Sequence, residues 1–171
     1  MIRYRFRRMT EADARAIADW RYPPPYDFYD LAPGEREEML DPASGCRAVF
    51  DESGELVGFG CFGAGGRLPG AERAGLYREA ALDIGLGLRP DLTGRGRGRA
   101  FVEAVLAEAR ARRAPVRFRL AVAAFNTRAI RVYERVGFIR IGACTSPVRD
   151  EDIPFIVMAR PAADDRFPGT R

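Results

Sequence analysis

Residues 89–99 read Arg-Pro-Asp-Leu-Thr-Gly-Arg-Gly-Arg-Gly-Arg. They join an apolar run, Ala80-Ala81-Leu82-Asp83-Ile84-Gly85-Leu86-Gly87-Leu88, to a segment in which Phe101, Val102, Val105, Leu106 and Ala109 recur at helical spacing. Strand, glycine turn and helix N-terminus therefore follow in order. Glycines at 94, 96 and 98 remove the side chains that would hold an anion away. The first backbone N–H groups of the helix, aided by its dipole, point at whatever sits there. The stretch predicts an anion site, and a phosphate is its natural guest. By itself it reads equally well as a glycine-rich helix start with solvated arginines.

Outward from this turn the chain reads as a mixed α/β domain. Ile2, Tyr4 and Phe6 alternate with Arg3, Arg5 and Arg7, the period of a strand, and Thr10 with Asp13 three residues on opens a helix over 11–20. After the Pro23-Pro24-Pro25 break comes a short helix over 35–40. Runs at 46–51 and 55–63 flank the turn Glu52-Ser53-Gly54 as a hairpin. Residues 63–77 are glycine-rich and predict an irregular loop. A strand over 80–88, a helix from 99 to about 113, a strand over 116–123, a helix capped by Asn126 and ending at Gly137, and strands over 138–144 and 153–160 complete the order. This implies one mainly antiparallel sheet with a central parallel strand pair flanked by helices, and the phosphate turn at the carboxyl end of one of those strands.

Composition removes whole classes of chemistry. The 171 residues suit one core, and no run reaches the about 18 apolar residues of a membrane span, so a cytoplasmic protein without membrane contact is expected. There is no His and no Lys; all 28 basic residues are Arg. That excludes the Ser-His-Asp and Cys-His nucleophiles, imidazole metal sites, a Walker A lysine and Schiff-base chemistry. Cys46, Cys61 and Cys144 show no CxxC spacing and read as reduced, buried thiols, with no metal expected. The net charge of +4 suits polyanionic partners, yet acidic residues are interspersed throughout, so nucleic acid is not the favoured partner.

Two segments together resemble the GCN5-related N-acetyltransferase superfamily. The first, Ile84 to Gly98, is similar to that family's strand and pyrophosphate loop, usually Arg/Gln-x-x-Gly-x-Gly/Ala, with Thr93 at the position of the Arg or Gln. The second, Val122-Ala123-Ala124-Phe125-Asn126-Thr127-Arg128-Ala129-Ile130-Arg131-Val132-Tyr133-Glu134-Arg135-Val136-Gly137-Phe138, is similar to its Asn-x-x-Ala-x-x-x-Tyr-x-x-x-Gly-Phe segment.

The resemblance implies an acetyltransferase domain over 1–161 followed by a tail over 162–171. It implies acetyl-CoA as cosubstrate, held by Leu86, Leu88, Gly94, Arg95, Gly96, Arg97, Gly98, Arg99 and Asn126. Tyr133 is implied as the acid that protonates the departing thiolate, and core packing would explain it too; helix capping alone likewise explains Asn126. The carboxylate that some members place five residues before the Asn is Ala121 here, which leaves Asp83, with Glu79 behind it, as the expected base or simply a hydrogen-bonded carboxylate. Gly85 and Gly87 are expected where backbone approaches closely. The acceptor, an amine of a small molecule or protein, would lie against segments 20–29, 63–77 and 145–152. A homodimer is left open. A non-catalytic acyl-CoA-binding module and a basic RNA- or ribosome-binding protein, the latter suggested by Arg95, Arg97, Arg99, Arg110, Arg112 and Arg113, are the rival readings.

Overall fold

The computed structural model describes residues 2–163. Its strands are β1 (Arg5–Arg8), β2 (Cys46–Phe50), β3 (Leu56–Phe62), β4 (Leu82–Leu88), β5 (Arg117–Ala123), β6 (Ile139–Val148) and β7 (Glu151–Pro161), and its α-helices are α1 (Glu11–Ala18), α2 (Glu35–Leu40), α3 (Pro69–Arg73), α4 (Gly98–Arg113) and α5 (Thr127–Arg135). All seven strands form one sheet in the order β1-β2-β3-β4-β5-β7-β6. The β4–β5 pair is parallel, as a strand-helix-strand crossover through α4 requires; every other pair is antiparallel. The mixed α/β architecture read from the sequence is therefore the observed one.

Local signals act as expected at both ends of the chain. Thr10 Oγ1 accepts from the Asp13 N–H while the Asp13 carboxylate accepts from the Thr10 N–H, and Arg7 reaches the same carboxylate at 2.8 and 2.9 Å. In the β2–β3 turn the Asp51 carboxylate collects the N–H groups of Ser53 and Glu55. The apolar stripe of α4 supplies Phe101, Val102, Val105, Leu106 and Ala109 to a core shared with Phe118, Leu120, Ile130 and Phe138. A second cluster of Met9, Ala14, Ile17 and Met39 sits with Ala48 of β2. Alternate residues of β2 feed the two clusters, Ala48 one and Val49 the other, so both sheet faces are covered.

Three expectations need correction or refinement. The 63–77 stretch is not wholly irregular: it carries a 3₁₀ turn at Ala64–Gly66 and the helix α3, begun by Pro69 at its first position. Cys46 and Cys61 are not reduced thiols but a disulfide. Counting back from the turn, Phe50 opposite Leu56 would set Cys46 against Gly60; a bulge between Val49 and Phe50 slips the register by one and brings the two cysteines face to face. Cys144 is the free one, half-buried, its thiol pushed up by desolvation. Ala162, expected in the tail, is buried and exchanges hydrogen bonds with Val116 and Arg110; residues 164–171 lie outside the described residues.

Asp83 and Arg119 are opposite residues on the last rung that β4 and β5 share, and each is 2% exposed. Arg119 Nε and Nη2 donate to the two carboxylate oxygens at 2.7 and 3.0 Å, and its Nη1 donates to the carbonyls of Leu76 and Glu79. Arg67 Nε adds a third donor to Asp83 at 2.8 Å, and the guanidinium carbons of Arg67 and Arg119 lie 5.0 and 4.5 Å from the centre of the Tyr77 ring. Removing one member of such a pair leaves a buried charge without its partner. Asp83→Ala is therefore expected to lower the unfolding free energy by about 3–5 kcal/mol in urea denaturation; a loss below about 1 kcal/mol would show that the pair is solvated.

Candidate functional site

Beyond the Asp83–Arg119 rung the two central strands part. On its other side β4 stays paired to β3 from Ile84 opposite Phe62 to Leu88 opposite Gly58, whereas its ladder with β5 has only the rungs Leu82–Phe118 and Asp83–Arg119. The Asp83 carbonyl accepts from Gly63 N–H and the Arg89 N–H donates to Val57, both toward β3. Strand alternation therefore turns the N–H and C=O groups of Leu86 and Leu88 toward the open side. The wedge holds a cavity of about 670 Å³ between β4, β5, α4 and α5.

The glycine turn closes one end of this cavity. A 3₁₀ turn at Pro90–Leu92 follows β4, and Thr93 Oγ1 donates back to the Pro90 carbonyl. Gly94 and Gly96 then adopt φ of +71° and +75°, a conformation that L side chains rarely take. Helix α4 begins with Arg97 as N-cap in a helical conformation; no side chain caps it and no acidic residue lies in its first turn. Its first N–H groups and its positive dipole end are thus offered to an anion.

Seven of the nine residues expected at the cofactor border this cavity: Leu86, Leu88, Gly94, Gly96, Gly98, Arg99 and Asn126. Arg95 and Arg97 do not, and Arg99 pairs with Glu103. Asn126 performs its capping, with Oδ1 accepting from Ala129 N–H at 3.1 Å, and its Nδ2 donates to the Tyr29 hydroxyl at 3.0 Å. Tyr133 borders the cavity and packs edge-on to Phe138. Burial, with Tyr29 adding to it, pushes its hydroxyl above the usual tyrosine range. Asp83 lies outside the cavity with both oxygens held by arginines, so the structure gives it a structural partner set rather than access to a substrate. Glu79 pairs with Arg117 on the exposed side. Among the described residues that border the cavity there is no Asp, Glu or Cys. The close approach expected at Gly87 is made by the Phe59 ring, which lies where a Cβ would stand.

Segment 20–29 closes the other side. The Tyr22 hydroxyl donates to the Leu88 carbonyl at 2.8 Å, and Tyr22, Tyr26 and Tyr29 all border the cavity. Phe28 packs edge-on to Phe125, which anchors the segment to the start of α5. Desolvation raises the hydroxyls of Tyr22 and Tyr29, the first helped by Asp30. The expected 63–77 and 145–152 segments meet elsewhere, α3 packing on β6 where Gly70 N–H donates to Ser146.

Sequence reasoning passed over Arg128, Arg131 and Arg135, which border the cavity along one side of α5. Their spacing of three and four was the available signal. The basic cluster at the other end of α4 is largely engaged within the protein: Arg110 lies over the Phe118 ring and bonds Ala162, and Arg112 pairs with Glu108. Among the described residues no group of acidic or cysteine side chains could hold a metal, and no helix is long and apolar enough to cross a membrane.

Residues 10–138 match the model of the acetyltransferase (GNAT) family. Mycothiol acetyltransferase of Salinispora arenicola (strain CNS-205) is 37% identical over 131 residues, which is 77% of this chain and 40% of that protein; the Salinispora tropica protein of the same name is 36% identical over the same shares. The chain thus spans about two-fifths of the length of these relatives. In structure it is similar to spermidine N-acetyltransferase from Vibrio cholerae solved with CoA and spermine, with a TM-score of 0.70 at 18% identity, covering 93% of this chain and 95% of that one. The wedge between β4 and β5, the glycine turn at its mouth and the match over residues 10–138 agree, and the chain belongs to the acetyltransferase (GNAT) family.

Proposed function

We propose that this protein transfers the acetyl group of acetyl-CoA to a primary amine of a small molecule or protein by direct attack. The observation that carries the reading is the cavity itself: an uncapped helix N-terminus behind Gly94 and Gly96, a strand edge at Leu86 and Leu88 that pairs with no other strand, and Tyr133 on the facing helix. These residues fit acetyl-CoA in three places. The turn would take the diphosphate, the N–H and C=O groups of β4 that face the wedge would pair with the amides of the pantetheine arm, and the arginines of α5 would face its remaining charge. The family supplies acetyl transfer, and the neighbouring spermidine enzyme supplies an example with an amine acceptor.

When bound, acetyl-CoA supplies an activated thioester. The chain's part is to hold and polarise. The Leu86 N–H is directed into the wedge, where it would donate to the acetyl oxygen as negative charge develops there. Tyr133 holds a proton at its hydroxyl that would pass to the sulfur as the amine nitrogen bonds the acetyl carbon and the carbon–sulfur bond breaks; the proton that the nitrogen sheds on becoming an amide would return through solvent to the tyrosinate. With no carboxylate among the described residues that border the cavity and no imidazole in the chain, the acceptor would arrive as the neutral amine, its ammonium proton left to solvent. The aromatic wall of Tyr22, Tyr26 and Tyr29 would exclude water around the reacting atoms.

Tyr133→Phe is expected to lower kcat by about 10²-fold or more while leaving the affinity for acetyl-CoA within about twofold. Release of free thiol with an amine panel measures the first and calorimetry the second; unchanged kcat would remove the acid role. Binding without thiol release for every amine would instead favour a non-catalytic acyl-CoA-binding module, the reading that Ala121 in place of a carboxylate also serves.

The pH profile is a separate test. Because burial raises the Tyr133 pKa, its proton is retained up to and beyond the usual tyrosine titration near pH 10, so the acid form is never the limiting species below that. Log kcat/KM should rise with unit slope to the acceptor's own amine pKa and then stay level to about pH 10. A descending limb well below pH 10, or a rise that keeps one midpoint for amines of different pKa, would assign the titration to a group of the enzyme and overturn the neutral-amine mechanism.

A further inference from the structure

The acetyl-CoA reading places a diphosphate at the glycine turn, and the role inferred below for Arg128 rests on that reading. The family's long Arg or Gln side chain is absent from the turn, because the position is Thr93 and its hydroxyl is turned back to Pro90. The turn's own arginines do not replace it: Arg95 and Arg97 do not border the cavity and Arg99 is paired with Glu103. A guanidinium does reach the turn, from the opposite wall. A Cβ built on Gly94 would lie 3.3 Å from Arg128 Nη1. Arg128 projects from the first turn of α5, and its guanidinium carbon lies 4.2 Å above the centre of the Tyr26 ring. No carboxylate pairs with it among the described residues.

An unpaired guanidinium held over an aromatic ring and against a glycine turn with open N–H groups is a preformed anion contact. The ring contact restrains the side chain, so less freedom is lost when it binds. We propose that Arg128 is the side-chain ligand of the cofactor diphosphate in this protein, standing in from α5 for the missing side chain at Thr93, and that Tyr26 is the residue that positions it. Two walls of the cavity then close on one charge. The amides of residues 94–99 approach the diphosphate from β4 and α4, and Arg128 approaches from α5, carried on an aromatic segment that also forms the acceptor side. In holding the diphosphate, the effect of Tyr26 passes through Arg128.

The test is calorimetric titration of the wild type, Arg128→Ala, Arg128→Lys, Tyr26→Leu and the Arg128→Ala/Tyr26→Leu double variant with three probes. CoA and dephospho-CoA both carry the diphosphate, while pantetheine carries none. Arg128→Ala should weaken CoA and dephospho-CoA by the same factor, about 10- to 100-fold, and leave pantetheine unchanged. Arg128→Lys should recover part of the loss, as a point charge without the planar stack. Tyr26→Leu should weaken CoA several-fold alone and add nothing in the Arg128→Ala background.

Arg128 is exposed, so thermal unfolding of its variants should match the wild type and separate a binding loss from a folding loss. A loss seen with CoA and absent with dephospho-CoA would move Arg128 to the 3′-phosphate and overturn the proposal, as would no loss at all. An equal cost of Tyr26→Leu with and without Arg128 would overturn the positioning role. Failure of the wild type to bind any probe would instead defeat the acetyl-CoA reading itself.

Discussion

Asp83 and Arg119 meet on the last rung that β4 and β5 share, and their ion pair is the point from which the wedge opens. Below it the strands are joined; above it each turns its edge to the cavity. The pair is buried and fully engaged: the carboxylate takes donors from Arg119 and Arg67, and Arg119 spends its remaining donors on the loop that leads into β4. Burial of two charges without such satisfaction would cost several kcal/mol per ion. The same interaction therefore holds the parallel strands together at their base, ties down segment 67–79 and keeps both Asp83 oxygens on arginines.

The cavity above that rung is electrically one-sided. Its walls carry arginines on α4 and α5, the positive end of the α4 dipole and the open N–H groups of the glycine turn, with no carboxylate among the described residues that border it. Such a lining attracts a polyanion and gives nothing to balance a buried ammonium. It also leaves protons to tyrosines. Burial keeps those tyrosines protonated, which makes them donors rather than bases. On the proposed reading, an acceptor amine would be matched to this cavity only in its neutral form.

Much of the framework was legible because the signals are short-range. The Thr10–Asp13 capping box, the Asp51–Gly54 turn, the Asn126 cap and the apolar stripe of α4 each depend on residues within about one or two turns of one another. The same locality exposed the glycine turn between a strand and a helix. What was not legible is long-range. The cysteine pair depends on a one-residue bulge in β2, which no spacing of 15 residues announces. The fate of Asp83 depends on Arg119 and Arg67, 36 and 16 residues away in sequence. Nothing local marks Arg128 either; only the fold sets its helix across from Gly94 and its guanidinium over the Tyr26 ring.

The sequence by itself determined the order of elements, the glycine turn as a place for an anion, and the absence of histidine and lysine chemistry, since each stems from local backbone preference or from composition. Tertiary structure alone decided which polar side chains face the cavity and which face one another. A carboxylate and a guanidinium carry no mark of their partners in the chain; only the register of β4 against β5 joins Asp83 to Arg119, and only the packing of α5 beside α4 turns Arg128 toward the turn.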